Sequence, residues 1–502
     1  MAEAAPQAEE AAEEQGRIRS GALVGRSLPA AILIVGLPVL LQQLLGACVG
    51  LVDKMLAGGL PQDIVVSAMD GLGVGSYVGW FIGIAMGGLG IGGQAIIARA
   101  IGRGDRGEAE RALGQAIALS FGWGCLVGIA AWVLSPAMAA LCELRGDAAG
   151  HLVAYVRVLS LSMPFCGLMM VGAMCLTGAG ETVRPAVIAV VVNAFNVVFS
   201  WVLSGADFRL PGLVIENTLG VDLGVAGIAA GTAIGYFVGG VLTLVVLVRG
   251  VRDLALRIDF MRPIRSMIGR VVRIGVPNFL EGVSMWTANL GVLAIIGMIA
   301  GREVQSAITA ATGSGSLAEP TAGEGLAGAH IIAVQWESFS FLPGFAIGTA
   351  AAALAGQYLG AGNLRMARRA VFVCTGLAIA LMGTLGVLFM LLGTPLTELI
   401  SSQPRHMALV PELLFICGTT QIFFAVSMVV RQALRGVGDT VWTFTITTVS
   451  CYGVRLPAAW FFGIVLDYGL VGVWIGLCGE IAVRAGLFLS RFLHGGWALK
   501  RV

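Results

Sequence analysis

The first long apolar segment of the sequence contains one acidic residue. No charge occurs from Ser27 through Val52, and Asp53 follows before the segment ends. A helix of this length can cross the hydrocarbon core of a bilayer. An ionised carboxylate there costs on the order of 3 kcal/mol unless it faces a polar cavity or takes up a proton. Gln42, Gly46 and Asp53 share one helix face, and this polar, small-residue face predicts one wall of an ion or substrate pathway.

A later apolar segment carries amide and hydroxyl groups that could act with this carboxylate. Asn193, Asn196 and Ser200 occur at i, i+3 and i+7, so they lie on one helix face. Such groups either help to bind a cation or form hydrogen bonds between membrane helices. Both interpretations remain open for these three residues.

Further candidates lie in the second half of the chain. Glu281 is either a second proton site or a residue at a helix entry. Glu337 lies within an apolar segment, where a charge is costly, and is a candidate for binding substrate or a proton. His330 shares its helix face and is expected to pack or form hydrogen bonds. Gln335 and Gln42 complete the set of substrate candidates.

The remaining intramembrane charges are expected to be structural. Glu480 and Arg484, at i and i+4, should neutralise each other, and Arg455 needs a buried acceptor elsewhere in the sequence. The apolar segments contain no metal-ligand spacing, no nucleophile–base pair and no nucleotide-binding motif. The sequence therefore argues against an enzyme, an ATP-driven pump and a bound cofactor.

Composition indicates the class of protein that must position these residues. Of 502 residues, 57% are hydrophobic and 12% charged, and the mean hydropathy is +0.89. These values, with repeated apolar runs, predict an all-α polytopic membrane protein. The 73 glycines suit close helix packing. A net charge of +2 gives no reason to expect a nucleic-acid partner.

The apolar pattern predicts twelve membrane-spanning helices. They are expected at residues 29–56, 69–98, 114–141, 151–177, 185–204, 222–248, 274–300, 328–358, 371–400, 408–434, 442–466 and 469–492. Most Lys and Arg residues outside these spans fall on the side of the amino terminus. The positive-inside rule then predicts a multi-pass protein of the inner or plasma membrane with both termini cytoplasmic.

The chain is duplicated. Gly102-Arg-Gly-Asp105 recurs as Gly360-Ala-Gly-Asn363, and Gly178-Ala-Gly-Glu-Thr182 recurs as Gly436-Val-Gly-Asp-Thr440 at the same offset. Each half therefore holds six spans, as a parallel repeat about an axis along the membrane normal. The predicted units are a disordered cytoplasmic tail (1–26), an N-terminal lobe (27–248), a basic cytoplasmic linker (249–273), a C-terminal lobe (274–493) and a second cytoplasmic tail (494–502).

The linker 249–273 and the segment 302–328 each have a composition that predicts their structure. The linker alternates Arg with apolar residues, so it is either a helix on the inner leaflet or a solvated basic connector. The segment 302–328 is rich in Gly, Ser, Ala and Thr and is expected to be a mobile outer loop.

Five short motifs occur in a fixed order on this repeat. They are Leu51-Val52-Asp53 with Gly58, Gly93-Gln94-Ala95 continuing to Gly102, Phe339 to Pro343 with Ala355-Gly356-Gln357, Ala433 to Thr440, and Val454-Arg455-Leu456-Pro457. Together they resemble the MATE family, the multidrug and toxic compound extrusion transporters, over about residues 25–495. The details are most similar to the bacterial and archaeal branches, including the DinF-like one.

This resemblance implies a V-shaped pair of six-helix lobes around a central cavity, in a secondary antiporter. Asp53 stands where relatives place a cation-coupling aspartate, and Asn196 matches an asparagine that helps to hold it. Thr232 matches a threonine of the same site, whereas Ser200 falls where many relatives have a second aspartate. Lys54 departs from the family pattern, in which a small residue is usual.

The resulting hypothesis is an antiporter that exports amphipathic organic cations as protons or sodium ions flow in. A proton can neutralise a single carboxylate, which favours protons. Sodium would need several oxygen ligands, for which Asp53, Asn196 and Thr232 are candidates with Ser200. A flippase of lipid-linked precursors from the wider superfamily is the alternative. The expected partners are small organic cations and the lipid bilayer, and the protein is expected to be a monomer.

Overall fold

A computed structural model describes residues 18–21, 23–61, 64–142, 144–210, 213–219, 221–314 and 324–500. The first-lobe helices are α1 (Leu28–Gly58), α2 (Val65–Arg103), α3 (Arg106–Leu141), α4 (Gly146–Ser160), α5 (Met163–Gly178), α6 (Val183–Ser204) and α7 (Gly224–Arg249). The second-lobe helices are α8 (Arg265–Ser314), α9 (Leu326–Gly360), α10 (Leu364–Glu398), α11 (Pro404–Gly436), α12 (Thr440–Val465) and α13 (Gly469–His494). A short hairpin of β1 (Phe208–Leu210) and β2 (Leu213–Ile215) lies between α6 and α7.

The predicted membrane spans are confirmed, with one of them broken. Within the described residues, 11 helices are long and apolar enough to cross a membrane, and the bent pair α4 and α5 brings the number to 12. The bend of 58° falls at Leu161 and Ser162. Pro164 follows in the first turn of α5, where its missing N–H costs no helical hydrogen bond. The fourth span is therefore two helices and not the single one predicted.

The repeated glycine motifs form turns between helices. Gly180 and Gly438 have φ of +79° and +82°, a backbone conformation that favours glycine. Thr182 and Asp439 stand at the N-cap positions of the following helices, but neither side chain makes a capping hydrogen bond. The Thr182 hydroxyl instead donates to the Ile34 carbonyl at 2.9 Å, which ties this turn to α1.

The two lobes meet in a region of close helix packing, which we call the closed end. There α2 packs against α8 and α9, and α1 packs against α9. The Gln357 side-chain amide donates to the Gly178 carbonyl at 2.8 Å across the lobes. A Cβ at Gly102 or Gly360 would overlap the backbone of the opposite lobe. Small residues thus allow the backbones to touch at the closed end.

The chain after α13 crosses this interface. We call Gly495–Lys500 the C-terminal strap. Trp497 is fully buried and stacks on Phe492, with ring centroids 5.0 Å apart. Arg99 of the first lobe donates to the Lys500 carbonyl at 2.5 Å and to the Val437 carbonyl at 2.7 Å. The predicted tail from residue 494 is therefore packed structure as far as Lys500.

The predicted tail 1–26 and the predicted loop 302–328 also contain more ordered structure than expected. Residues 1–17 of the predicted tail lie outside the described residues, but Ile18 and Leu23 are buried in the second-lobe core. Helix α8 begins at Arg265 and continues to Ser314, so the first part of the predicted loop 302–328 is helical. Residues 315–323 of that loop lie outside the described residues.

The linker between the lobes contains no long inner-leaflet helix. After α7 the chain makes a one-turn helix, Ile258–Met261, before α8 begins. The Gln115 amide of α3 donates to the Phe260 and Arg262 carbonyls at 2.5 and 2.8 Å. These bonds fix the connector against the first lobe.

Candidate functional site

Asp53 lies near the end of α1, against α6 and α7. Its side chain is buried, with 5% of the residue surface exposed. The Thr232 hydroxyl of α7 donates to Asp53 Oδ2 at 3.4 Å, and the Asn196 amide of α6 donates to the Thr232 hydroxyl at 2.7 Å. Three helices therefore contribute one polar group each to a buried network around a carboxylate.

Ser200 extends this network along α6. The Asn196 amide donates to the Ser200 hydroxyl at 3.4 Å, and this hydroxyl donates to the Ile228 carbonyl at 3.0 Å. Gly231 of α7 packs directly on Ser200, because a Cβ at that position would overlap the serine backbone nitrogen and hydroxyl. The close approach of α6 and α7 thus depends on a residue without a side chain.

Two oxygen atoms of the network have no hydrogen-bond donor within the described part of the chain. They are Asp53 Oδ1 and Asn196 Oδ1, and both are buried. A buried acceptor left unsatisfied costs about 1–3 kcal/mol. A proton on the carboxyl group or a cation between the oxygens would remove this cost. The geometry therefore fits a site that takes up a positive charge.

The neighbouring residue Lys54 does not neutralise the Asp53 carboxylate. Lys54 is exposed and makes no ion pair with Asp53 within the described residues, as the rotation of about 100° between successive helix positions predicts. Tyr155 and Tyr236 are two further residues within electrostatic range of the carboxyl group. Neither tyrosine could be identified from the sequence, because single tyrosines in apolar runs have no characteristic spacing.

Three other candidates lie away from this network. The Asn193 amide donates to the Ala189 carbonyl of its own helix at 2.8 Å. Gln42 approaches the Thr182 carbonyl at 3.4 Å, toward the closed end. Gln335 is exposed and approaches the Ser338 hydroxyl at 3.4 Å.

Glu281 is a fully buried member of an ion-pair cluster in the second lobe. Arg435 of α11 lies 2.9 Å from its carboxylate, and Arg431 lies 3.7 Å away. The Thr443 and Thr447 hydroxyls of α12 donate to it at 3.0 and 2.8 Å. This carboxylate is therefore already neutralised and fully hydrogen-bonded, which argues for a structural role and against a second proton site.

The acceptor that Arg455 requires is Glu480. Arg455 donates to Glu480 Oε2 at 3.1 and 2.8 Å, and Arg484 Nε lies 3.2 Å from Oε1. All three residues are buried. Arg455 also donates to Asn289 at 2.9 Å. The expected pairing of Glu480 with Arg484 is present, but it is part of a larger cluster with two arginines.

Glu337 and His330 of α9 differ from each other in their surroundings. Glu337 is half-buried, and its carboxylate has no ion pair within the described residues, although the charges of Arg455 and Arg484 act on it. His330 accepts a hydrogen bond from the Trp474 indole at 3.2 Å and packs against its ring. His330 is therefore a packing residue, as expected, whereas Glu337 lacks the arginine ion pairs that Glu281 and Glu480 make within the described residues.

The chain resembles known transporters over nearly its whole length. The MatE family model matches residues 38–202 and 321–461. A probable multidrug resistance protein NorM of Thermotoga maritima is 28% identical over 474 residues, covering 93% of each chain. The multidrug resistance protein PmpM of Pseudomonas aeruginosa is 24% identical over 476 residues, covering 92% of each.

Solved structures agree with this assignment at the level of the fold. A crystal structure of MATE in the straight conformation superposes with a TM-score of 0.80 at 20% identity, covering 95% of this chain and 98% of that one. A MOP superfamily transporter from Pyrococcus furiosus gives 0.80 at 19% identity, with the same coverage. With the family model matching more than half of its residues, the chain belongs to the MatE family and is a multi-pass membrane transporter.

Proposed function

We propose that this transporter exports amphipathic organic cations in exchange for protons, with Asp53 as the proton-binding group. The observation that carries the proposal is the buried Asp53 carboxylate, which has no cationic partner within the described residues and one oxygen without a donor. The names of the NorM and PmpM relatives support multidrug efflux as the wider activity.

The network around Asp53 favours a proton over sodium as the coupling ion. A proton needs only the open carboxylate oxygen, whereas sodium needs several oxygen ligands at once. The hydroxyls of Ser200 and Thr232 are already engaged in bonds to the Ile228 carbonyl and to Asn196. Because each hydroxyl also accepts from Asn196, it has one lone pair left for a cation, whereas proton binding uses neither hydroxyl.

Proton binding can be linked to transport by alternating access. A neutral Asp53 and an ionised Asp53 interact differently with α6 and α7, so protonation shifts the balance between states in which the lobes open to opposite sides. A substrate cation in the central cavity would favour the ionised form by Coulomb attraction. Proton and substrate would then exclude each other, as an antiporter requires.

A flippase of lipid-linked precursors is the second candidate. Such flippases tend to have a strongly cationic central cavity. Buried arginines do line the second lobe, but the two ion-pair clusters place Glu281 and Glu480 directly against them. With Glu337 nearby, the lobe is close to neutral, which favours the antiporter.

The protein is proposed to lie in the inner or plasma membrane as a monomer, with both termini cytoplasmic. No cofactor is required beyond the coupling ion. The closed end would then face the cytoplasm, and the cavity between the lobes would face outward.

The test is efflux of a fluorescent organic cation from proteoliposomes driven by a pH gradient or a sodium gradient, applied separately. We expect transport driven by the pH gradient in the wild type, at least tenfold slower transport in Asp53→Asn, and unchanged transport in Asp70→Asn. Asp70 is an exposed aspartate on α2 and controls for loss of a carboxylate.

Other outcomes would redirect the proposal. Transport driven only by the sodium gradient would identify sodium, and not the proton, as the coupling ion. Full activity in Asp53→Asn would move the coupling site to Glu337. Failure of any gradient to drive any tested cation would favour the flippase.

A further inference from the structure

A groove on the outside of the first lobe is unrelated to the network around Asp53. It lies between the end of α3 and the start of α4 and has a volume of about 530 Å³. Among the described residues, its walls are apolar or small, including Pro136, Ala139, Leu144 and Val153, with one charged side chain, Arg157. The groove therefore combines an apolar trough with a single cation.

The groove opens toward the lipid. The neighbouring residues of α3, Val133, Leu134 and Leu141, are large apolar side chains that are 65%, 51% and 85% exposed. In a protein with this many spanning helices, such a surface faces hydrocarbon. A molecule in this groove must therefore be one that the bilayer contains.

Within the part of the chain that the structure describes, Arg157 has no acidic partner. No ion pair joins it to any carboxylate within the described residues, and its Nε is buried without a hydrogen-bond acceptor. Its guanidinium lies over the Trp132 ring, 5.5 Å from the centroid. That contact orients the guanidinium but leaves its charge uncompensated.

The position of Arg157 along the helix makes this charge costly. It lies eleven residues after Gly146, so it is about 16 Å along the axis from the outer end of α4. If α4 begins near the headgroups, an arginine this far along the helix lies within the hydrocarbon, where it is stabilised by reaching the headgroups or by binding an anion.

We propose that this groove binds one anionic phospholipid, with its phosphate on Arg157 and an acyl chain in the apolar trough. A guanidinium can hold a phosphate through two parallel hydrogen bonds, which would supply the acceptor that Nε lacks. The apolar walls supply the contact that a lipid tail needs and a soluble anion does not. The site is independent of the transport mechanism proposed above.

The test is lipid binding to the purified full-length protein, measured by native mass spectrometry with phosphatidylglycerol or phosphatidylcholine. We expect the wild type to bind a first phosphatidylglycerol at least fivefold more tightly than phosphatidylcholine. Arg157→Gln should abolish this preference. Arg145→Gln is the control, because it removes an exposed charge at the same end of the first lobe, outside the groove.

A second variant tests the trough without changing charge. Ala154→Leu places a larger side chain in the groove and should lower the affinity for the first phosphatidylglycerol at least threefold, although Arg157 remains. An unchanged lipid preference in Arg157→Gln would overturn the proposal. So would an equal loss in Arg145→Gln, or displacement of the lipid by inorganic phosphate, which would indicate a site for a soluble anion.

Discussion

The cluster around Glu480 predicts a large difference in cost between two substitutions of glutamate by glutamine. Glu480 is fully buried and faces two guanidinium groups, Arg455 at 2.8 Å and Arg484 at 3.2 Å. Glu480→Gln keeps the shape of the side chain but leaves both cations without a counter-charge. Breaking a buried ion pair in this way costs about 3–5 kcal/mol, because the remaining charge stays desolvated.

The matched control is Glu303→Gln. Glu303 pairs with Arg405, and their side chains are 34% and 41% exposed. Water screens the remaining charge when this pair is broken, so the expected cost is about 0–1 kcal/mol. The free energy of unfolding of both variants can be measured by titration with sodium dodecyl sulfate in mixed micelles, monitored by tryptophan fluorescence.

A double variant separates charge from packing. If uncompensated charge causes the loss in Glu480→Gln, adding Arg455→Gln should restore part of the stability, because one buried cation is removed. Equal costs for Glu480→Gln and Glu303→Gln would refute the reasoning. A double variant less stable than Glu480→Gln would show that packing outweighs electrostatics in this cluster.

Two further predictions concern the packing of the helices and of the strap. Gly231→Ala should lower the free energy of unfolding by about 1–3 kcal/mol and slow transport, because the added Cβ overlaps Ser200. The control is Gly297→Ala, which has open space around it and should change neither the stability nor the transport rate. Arg99→Gln should speed hydrogen exchange across the C-terminal strap, because two bonds to backbone carbonyls are lost. Arg103→Gln, which breaks an ion pair with Glu108 in the first turn of α3, should leave exchange in the strap unchanged. Equal exchange in both variants would contradict the role given to Arg99 in holding the strap.

The sequence alone predicts the membrane-spanning helices, except for the break in the fourth, and the division into two six-span halves. Long uncharged runs have few structural solutions in a bilayer, so hydropathy predicts helices well. The glycine turns could be located because positive φ favours one residue type. The convergence of Asp53 with Asn196 and Thr232 came from the family resemblance, since helix faces alone do not state which helices meet.

The arginines show what the sequence could not provide. The positive-inside rule counts the Lys and Arg residues on each side of the membrane and treats each one as a charge in a loop. Arg99, Arg431 and Arg435, however, lie in packed interfaces between helices. The partner of Arg431 and Arg435 is Glu281, on a helix that is distant along the chain. Such pairs depend on which helices pack together, and this information is not local.

The C-terminal strap was missed for a similar physical reason. The short segment after the last span, Gly-Gly-Trp-Ala-Leu-Lys, has no helix or strand pattern. Its order depends on Trp497 inserting against Phe492 and on Arg99 from the other lobe. A single aromatic residue gives no periodic pattern from which burial could be predicted.

The presence of one carboxylate in the first-lobe network limits the energetics of transport. If Asp53 carries one proton per cycle, exchange with a monovalent cation moves no net charge, and the membrane potential does no work on it. The concentration ratio that the transporter can sustain is then about tenfold for each unit of pH difference. A divalent cation would move one net charge outward, against about 2.3 kcal/mol for every 100 mV of an inside-negative potential. Under the proposed coupling, the number of carboxylates would therefore determine which charge classes of organic cation can be exported efficiently.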